Sequence, residues 1–171
     1  MTYSRIVEID ESNRSKFPFW GKAVIVVLLI LLSSCVANAE ERHDVECLAK
    51  NAAYEAGGHG IVAMANVVEV TLNRAGQKSI CDVVYEKTAN GVCQFSWTCT
   101  PIKRELTYRE KEVARYIART ALFGGTTYHS DFAENATFFC VPKACRRWHE
   151  RSSNLRRAGF DGAHVFYEIV S

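Results

Sequence analysis

The stretch "AAYEAGGHGIVAMANVVEVTLNRAG", residues 52–76, contains two helical patterns separated by glycines. In the second pattern apolar residues recur at i, i+4, i+7 and i+11, the spacing of one buried helix face. These residues are Ile61, Ala65, Val68 and Leu72. They predict a helix over residues 60–75 that ends at Gly76, and a preceding helix over 44–56 that Asp44 caps. Two adjacent helices of this kind predict a mainly helical domain.

The flanking sequence extends this prediction. Ser79 with Asp82 predicts the start of a short helix, and Thr107 with Glu110 forms the capping box of a longer one. Residues 88–102 read as a loop, and the C-terminal third alternates loops with short apolar runs typical of strands. The predicted fold class is therefore mainly α (α+β), with short strands or loops in the C-terminal third.

The N-terminus carries an apolar run, "AVIVVLLILL", over residues 23–32. Lys16 and Lys22 precede the run, and "ANA" at 37–39 has the small-x-small pattern of a signal-peptidase site. We therefore expect a polar cytoplasmic or disordered region over 1–22, a signal peptide or signal anchor over 23–39, and a folded domain over 40–171. A lipoprotein signal ending at Cys35 is a third possibility for the segment. An uncleaved segment would make the inner membrane a partner.

Composition places the folded part among ordinary globular proteins. The chain has 171 residues, of which 48% are apolar and 23% charged, and its formal net charge is +2. This balance gives no support to nucleic-acid binding. The basic stretch "CRRWHERSSNLRR", residues 145–157, is interpreted either as a solvated face or as a patch facing an anionic polymer. Together with the N-terminal signal, the composition predicts an exported protein.

Seven cysteines agree with export, because disulfides form in oxidising compartments. Cys35 lies in the apolar segment, which leaves an even set of six: Cys47, Cys81, Cys93, Cys99, Cys140 and Cys145. Six cysteines allow 15 pairings, and sequence alone does not choose among them. Short loops favour the pairs 93–99 and 140–145, which leaves 47–81. Zinc binding would need tight spacings such as CxxC, which the chain lacks, and its histidines are scattered, so we predict no metal and no cofactor.

Several blocks occur in a specific order: "AAYEAGGHG", "VVEVTLNRAG", "ICDVVYE", "QFSW" and "HVFY". This arrangement resembles the SleB/CwlJ family of cell wall hydrolases, which includes spore-cortex-lytic enzymes and phage-borne, endolysin-like relatives. The resemblance covers about residues 46–168. It implies a compact lysozyme-like or lytic-transglycosylase-like fold. It also implies peptidoglycan glycan strands as the partner, and cleavage between N-acetylmuramic acid and N-acetylglucosamine by lytic transglycosylation.

Glu55 matches the catalytic glutamate of the family, and partial burial among alanines would raise its pKa and keep it protonated. Where relatives often carry arginine and a second acid, this chain has Gly57 and His59. A lytic transglycosylase needs only one carboxyl group, which acts first as acid and then as base. Hydrolysis by water remains open, because the fold could bring Asp82 or Asp131 close to Glu55.

Polar and aromatic residues of the matching blocks are the candidate substrate contacts. They are Asn73, Gln94, Phe95, Ser96, Trp97, His164 and Tyr167. Asn73 could equally be a helix-end cap, and Phe95 and Trp97 could be core residues. Two other functions also remain open: an N-acetylmuramoyl-L-alanine amidase, whose chemistry usually uses zinc, and a non-catalytic wall-binding module on the same fold.

Overall fold

The structure is a computed structural model that describes residues 19–101, 104–126, 128–149 and 154–170. The side chains of 19–23, 25–38 and 146–149 lie outside this description. The chain divides into two compact units, residues 1–39 and 40–171. The mainly helical α+β fold class is confirmed.

The predicted N-terminal regions fall largely outside the described part of the chain. The tail over 1–22 is not described before residue 19, and most side chains of the 23–39 segment are not described either. Within the described residues, no helix offers a stretch long and apolar enough to span a bilayer. The export segment therefore stays a prediction.

Helix α1 (Phe19–Ala56) is much longer than the sequence pattern indicated. Asp44 was predicted to cap a helix, and this is wrong, because Asp44 lies inside α1. The physical reason is that residues 22–56 contain neither glycine nor proline, so no residue interrupts the helix. The predicted end is confirmed, since α1 stops at Ala56 and a 3₁₀ turn follows over Gly57–His59.

Helix α2 (Ile61–Ala75) lies at the centre of the fold and confirms the predicted second helix. Nine of its residues are buried, and they are distributed around its circumference: Ala63, Met64, Ala65, Asn66, Val67, Val68, Val70, Thr71 and Ala75. The prediction that only one face of this helix is buried was therefore too narrow. Ile61 was assigned to it wrongly, because its side chain is 49% exposed at the first turn of the helix.

Two shorter predictions rested on capping residues, and both are confirmed. Helix α3 (Ile80–Val84) starts where the Ser79 side chain accepts a hydrogen bond from the backbone N–H of Asp82. Helix α4 (Tyr108–Leu122) starts at a complete capping box made by Thr107 and Glu110. Helix α4 packs on α2 through its buried face, which contains Ala114, Ile117 and Ala118.

The C-terminal third contains a small antiparallel sheet of β1 (Phe138–Cys140), β2 (Leu155–Phe160) and β3 (Val165–Ile169), in the order β1-β3-β2. Helix α5 (Pro142–His149) connects β1 to the rest of the sheet. The fully buried ring of Phe166 anchors β3 in a cluster with Val70 of α2. A bulge in β2 places Gly159 against the ring of Phe132, where a Cβ atom would come within 2.3 Å, so only glycine fits there.

The three predicted cysteine pairs are the pairs found in the structure. The Cys47–Cys81 bond joins α1 to α3, with a Cα–Cα distance of 5.3 Å. The other two bonds, Cys93–Cys99 and Cys140–Cys145, close short loops with sequence separations of 6 and 5 residues. One disulfide thus crosslinks two helices, and two disulfides stabilise local turns.

Candidate active site

Glu55 lies in the last turn of α1, among alanines that are 0–1% exposed: Ala52, Ala53 and Ala56. Burial raises the pKa of Glu55 from 4.5 to about 7, and desolvation is the cause. No described residue donates a hydrogen bond to its carboxyl group or forms an ion pair with it. A glutamic acid in this environment is available as a proton donor near neutral pH.

Trp97 is held beside this end of α1 by two contacts. Its indole N–H donates a hydrogen bond of 2.9 Å to Oδ1 of Asn51, and its ring stacks on Tyr54 with centroids 4.8 Å apart. Asn51 is fully buried and donates in turn to Oγ1 of Thr71 on α2. Because Glu55 follows Asn51 by one helical turn, both side chains lie on the same face of α1. The structure therefore brings Trp97 to the face of α1 that carries Glu55.

The other residues of the "QFSW" block have different surroundings. Ser96 is exposed and Gln94 is half-buried, so both are accessible at the surface of the loop. Phe95 is only 2% exposed and contacts the ring of Phe139. Phe95 is thus a core residue that supports the loop, which was the second interpretation of this position.

Asn73 and Arg74 of the "LNR" block hold the fold together. The Asn73 amide donates hydrogen bonds of 2.9–3.0 Å to three carbonyl oxygens, those of Ala133, Glu134 and Ala136. The Arg74 guanidinium pairs with Glu86 and lies 5.5 Å from the ring centroids of both Phe95 and Phe138. The Asn73 amide is therefore committed to the 3₁₀ turn Asp131–Ala133 and the residues after it.

His164 directly precedes β3 and is only 2% exposed. Its ring contacts Phe139 at a centroid distance of 5.0 Å, and Nδ1 has no hydrogen-bond partner among the described residues. Burial lowers the pKa of His164, against a smaller opposite effect of Asp161, so the imidazole is neutral at pH 7. Tyr167, further along β3, is 5% exposed and lies in the small core beside the sheet.

His59 is a site residue that the sequence did not single out as a contact. It is exposed in the 3₁₀ turn that follows Glu55, and its ring lies 6.0 Å from the ring of His164. This contact brings the strand β3 region to the end of α1. The signal that could have revealed it was the spacing of four residues between Glu55 and His59, with glycines between them.

Gly57 faces an ion pair between Arg104 and Glu110. A Cβ atom at Gly57 would lie 3.0 Å from Oε1 of Glu110 and 3.4 Å from Nη2 of Arg104. A side chain at position 57 would therefore contact the Glu110 carboxylate first and the Arg104 guanidinium next.

Two further carboxylates were considered as partners for Glu55. Asp82 is exposed on α3, and Asp131 is exposed in the 3₁₀ turn Asp131–Ala133. Among the described contacts, neither side chain meets Glu55. Both stay open as predictions, because a bound substrate could contact either one.

One group of potential metal ligands occurs in the described part of the chain. It consists of His43, Cys47 and Cys81, whose ligand atoms lie within 4.8 Å of one another. Its two sulfur atoms are bonded to each other, and a disulfide has no thiolate to offer a metal. The group therefore fits a disulfide better than a metal site.

Comparison with known proteins identifies the family. The family described as Cell Wall Hydrolase matches residues 58–167, which include the central helix, the "QFSW" loop and the sheet. Glu55 lies just before the matched region, so the match does not bear on its role. No curated protein and no solved structure shows a significant match. Because the matched region spans more than half of the chain, this protein belongs to the cell wall hydrolase family, as the resemblance to SleB/CwlJ enzymes predicted.

Proposed function

We propose that this protein cleaves peptidoglycan glycan strands between N-acetylmuramic acid and N-acetylglucosamine, as a lytic transglycosylase with Glu55 as its acid and base. Membership of the family supports an enzyme that degrades peptidoglycan. The choice of the glycosidic bond rests on one observation, the burial of Glu55 without a charged partner and the resulting pKa of about 7.

The reaction needs no second carboxylate. Protonated Glu55 donates its proton to the glycosidic oxygen, and the bond between that oxygen and the anomeric carbon breaks. The carboxylate then takes the proton of the muramic acid 6-hydroxyl, whose oxygen bonds to the anomeric carbon. The products are an anhydro-sugar and a free 4-hydroxyl, and Glu55 ends protonated again.

Three residues of one loop are suited to bind the glycan. Trp97 presents an aromatic ring beside the face of α1 that carries Glu55, and sugars pack on such rings while polar groups orient them. Ser96 and Gln94 provide polar groups on the same loop. We infer that the loop over residues 94–97 forms one wall of the cleft.

The site of action follows from the substrate. Peptidoglycan lies outside the cytoplasmic membrane, so an enzyme that cleaves it has to be exported. The apolar run over 23–32 and the six paired cysteines of the second unit support export to the periplasm or cell wall. Whether 23–39 is removed after export is answered by N-terminal sequencing of the mature protein.

Mass spectrometry of the digestion products tests the proposal. Purified peptidoglycan is incubated with the wild-type protein, with Glu55→Gln and with Glu69→Gln. Glu69 is a matched control, because burial also raises its pKa, but it lies on α2, with its Oε2 atom 3.7 Å from Nε2 of His129. We expect anhydro-muropeptides from the wild type and Glu69→Gln, and none from Glu55→Gln.

The other outcomes separate the alternatives. Reducing-end sugars would mean hydrolysis with water and would direct attention to Asp82 and Asp131. Release of peptides from intact glycan would identify an amidase, for which the described ligand group gives no support. Undiminished activity of Glu55→Gln would remove Glu55 from the mechanism, and wall binding without any product would indicate a non-catalytic module.

A further inference from the structure

A groove of about 500 Å³ lies on the surface between α1 and α4, separate from the face of α1 that carries Glu55. The second half of α1 forms one wall with Glu46, Lys50 and Tyr54, and α4 forms the other wall with Lys111 and Arg115. Glu55 does not line the groove. The groove is therefore a second candidate binding surface that the proposed cleavage reaction does not use.

The charge of the groove is positive once its internal ion pair is considered. Glu46 accepts two hydrogen bonds from the Arg115 guanidinium, at 2.7 and 3.2 Å, and Glu112 accepts a third at 2.8 Å, so these three side chains together carry one negative charge. The exposed ammonium groups of Lys50 and Lys111 form no ion pair with any residue that the structure describes. Their two positive charges leave a net charge of +1 on these five groups, which favours an anionic ligand.

Two aromatic side chains, Tyr54 and Tyr85, form the remaining wall of the groove. Both contact the ring of Trp97, which does not itself line the groove: Tyr54 stacks on it at 4.8 Å, and the 45% exposed ring of Tyr85 meets it edge-on at 5.8 Å. The Lys50 ammonium lies 5.6 Å from the centroid of the same Trp97 ring. The groove therefore offers aromatic surface beside its cations.

The groove is close to the candidate acid along the chain. Tyr54 directly precedes Glu55 in the last turns of α1, so their side chains project from adjacent positions about 100° apart around the helix. Trp97 contacts both faces, through Tyr54 on one side and Asn51 on the other. A ligand could therefore occupy the cleft at Glu55 and reach the groove by passing Trp97.

We propose that this groove binds the carboxylates of the peptide branch that the glycan strand carries. The inference rests on the proposed function, because the muramic acid beside the cleaved bond is the sugar to which the peptide is attached. The glycan itself is uncharged at this sugar, whereas the peptide branch carries free carboxylates. The unpaired cations therefore match the branch and not the backbone of the polymer.

Binding of defined probes tests the inference without turnover. Affinities of the full chain carrying Glu55→Gln are measured for three disaccharides: one with an L-alanyl-D-glutamyl branch and free carboxylates, one with the same branch amidated, and one without a branch, whose lactyl carboxyl group is also amidated. We expect the free-carboxylate probe to bind about tenfold more tightly than the others, and higher salt to reduce the difference.

Substitution of the two lysines tests whether the carboxylates of the probe bind in the groove. Adding Lys50→Gln and Lys111→Gln together is expected to abolish the preference, while each alone reduces it. Lys143→Gln on α5 is the control, because it removes an exposed lysine outside the groove and leaves the preference unchanged. Thermal unfolding of each variant checks that the fold is intact.

Two results would overturn the inference: equal binding of the free and amidated probes, or a preference that survives the double substitution. These two results can be told apart from a failure of the proposed function, because binding and wall cleavage are measured separately. A protein that produces no wall fragments but still prefers the free-carboxylate probe contradicts the catalytic proposal and supports the groove. A protein that cleaves the wall without any such preference supports the catalytic proposal and contradicts the proposed role of the groove.

Discussion

The carboxyl groups of Glu55 and Asp161 are both shielded from solvent, but they differ in the hydrogen-bond partners that the protein provides. The Asp161 side chain is 2% exposed and accepts three hydrogen bonds: from Asn66 at 3.2 Å, from the Ala163 N–H at 2.9 Å and from the His164 N–H at 2.7 Å. Glu55 is surrounded by alanines and has no described partner. The first group holds a turn in place, while the second is left available.

The comparison shows that a buried carboxyl group can either stabilise the fold or remain available for proton transfer, depending on its hydrogen-bond partners. A buried carboxylate that accepts several hydrogen bonds stabilises the fold and has little capacity left for a ligand. A carboxyl group buried without partners destabilises the ionised form and keeps its proton. Burial alone therefore does not leave a carboxyl group available as a proton donor, whereas burial without hydrogen-bond donors or cations keeps it protonated and accessible to a ligand.

The largest expected effect concerns catalysis. Glu55→Gln removes the proton donor and is expected to slow wall lysis by about 10²- to 10⁴-fold. Asp161→Asn is expected to retain most of the activity per folded molecule, because Asp161 holds a turn and does not touch the reacting bond. Clearance rates of a peptidoglycan suspension, normalised to folded protein, measure both. An equal loss in the two variants would contradict the distinction.

The second effect is on stability, and here Asp161→Asn is expected to be more harmful than Glu55→Gln. Asp161→Asn places an amide N–H₂ opposite the donor of Asn66 and removes charge-assisted hydrogen bonds, so we expect a loss of about 3 kcal/mol in the free energy of unfolding. Urea unfolding at pH 7 provides the measurement. Asp131→Asn, at an exposed position, is the control and should change stability little. An unaffected Asp161→Asn would mean that the turn does not depend on the carboxylate.

The third effect is the pH dependence of stability. The pKa of Glu55 is higher in the folded protein, about 7, than the ordinary 4.5. Its contribution to stability is therefore fully present below pH 4.5 and is lost as the pH rises through 7. Glu55→Gln cannot ionise, so it should be more stable than the wild type by about 3 kcal/mol at pH 8, and nearly equal to it at pH 4. Unfolding at both pH values checks this, and a constant difference would argue against the raised pKa.

The smallest effect is the pH profile of activity. Cleavage needs the protonated form of Glu55, so kcat/KM should fall about tenfold per pH unit above a midpoint near 7. The Lys50→Gln, Lys111→Gln double variant should keep this midpoint, because its substitutions lie outside the acid's face of α1. A midpoint near 4.5 would show that Glu55 has the ordinary pKa of an exposed glutamate and would contradict the proposed effect of its burial.

Much of the fold could be predicted because its signals are local. Ser79 with Asp82 and Thr107 with Glu110 lie within one turn of each other, so the sequence contains the whole capping motif. The start of α1 was missed for a related reason: a capping residue such as Asp44 competes with the surrounding helix, and no glycine or proline supports it.

The site was predicted less completely, because its contacts join distant parts of the chain. Glu55 and Trp97 were recognised one by one, but the Asn51–Trp97 hydrogen bond spans 46 residues of sequence and leaves no periodic signal. The same holds for the contact between His59 and His164. Residue types indicated the chemistry, whereas the packing of α1 against α2 and the sheet determines which side chains meet.

The contact at Gly57 also has an evolutionary consequence. The Arg104–Glu110 ion pair borders position 57, so a long side chain there would have to displace the ends of these two side chains. A shorter residue at 104 would leave more room for it. Positions 57 and 104 are therefore expected to covary among relatives, and a long side chain at 57 should be better tolerated when residue 104 is shortened.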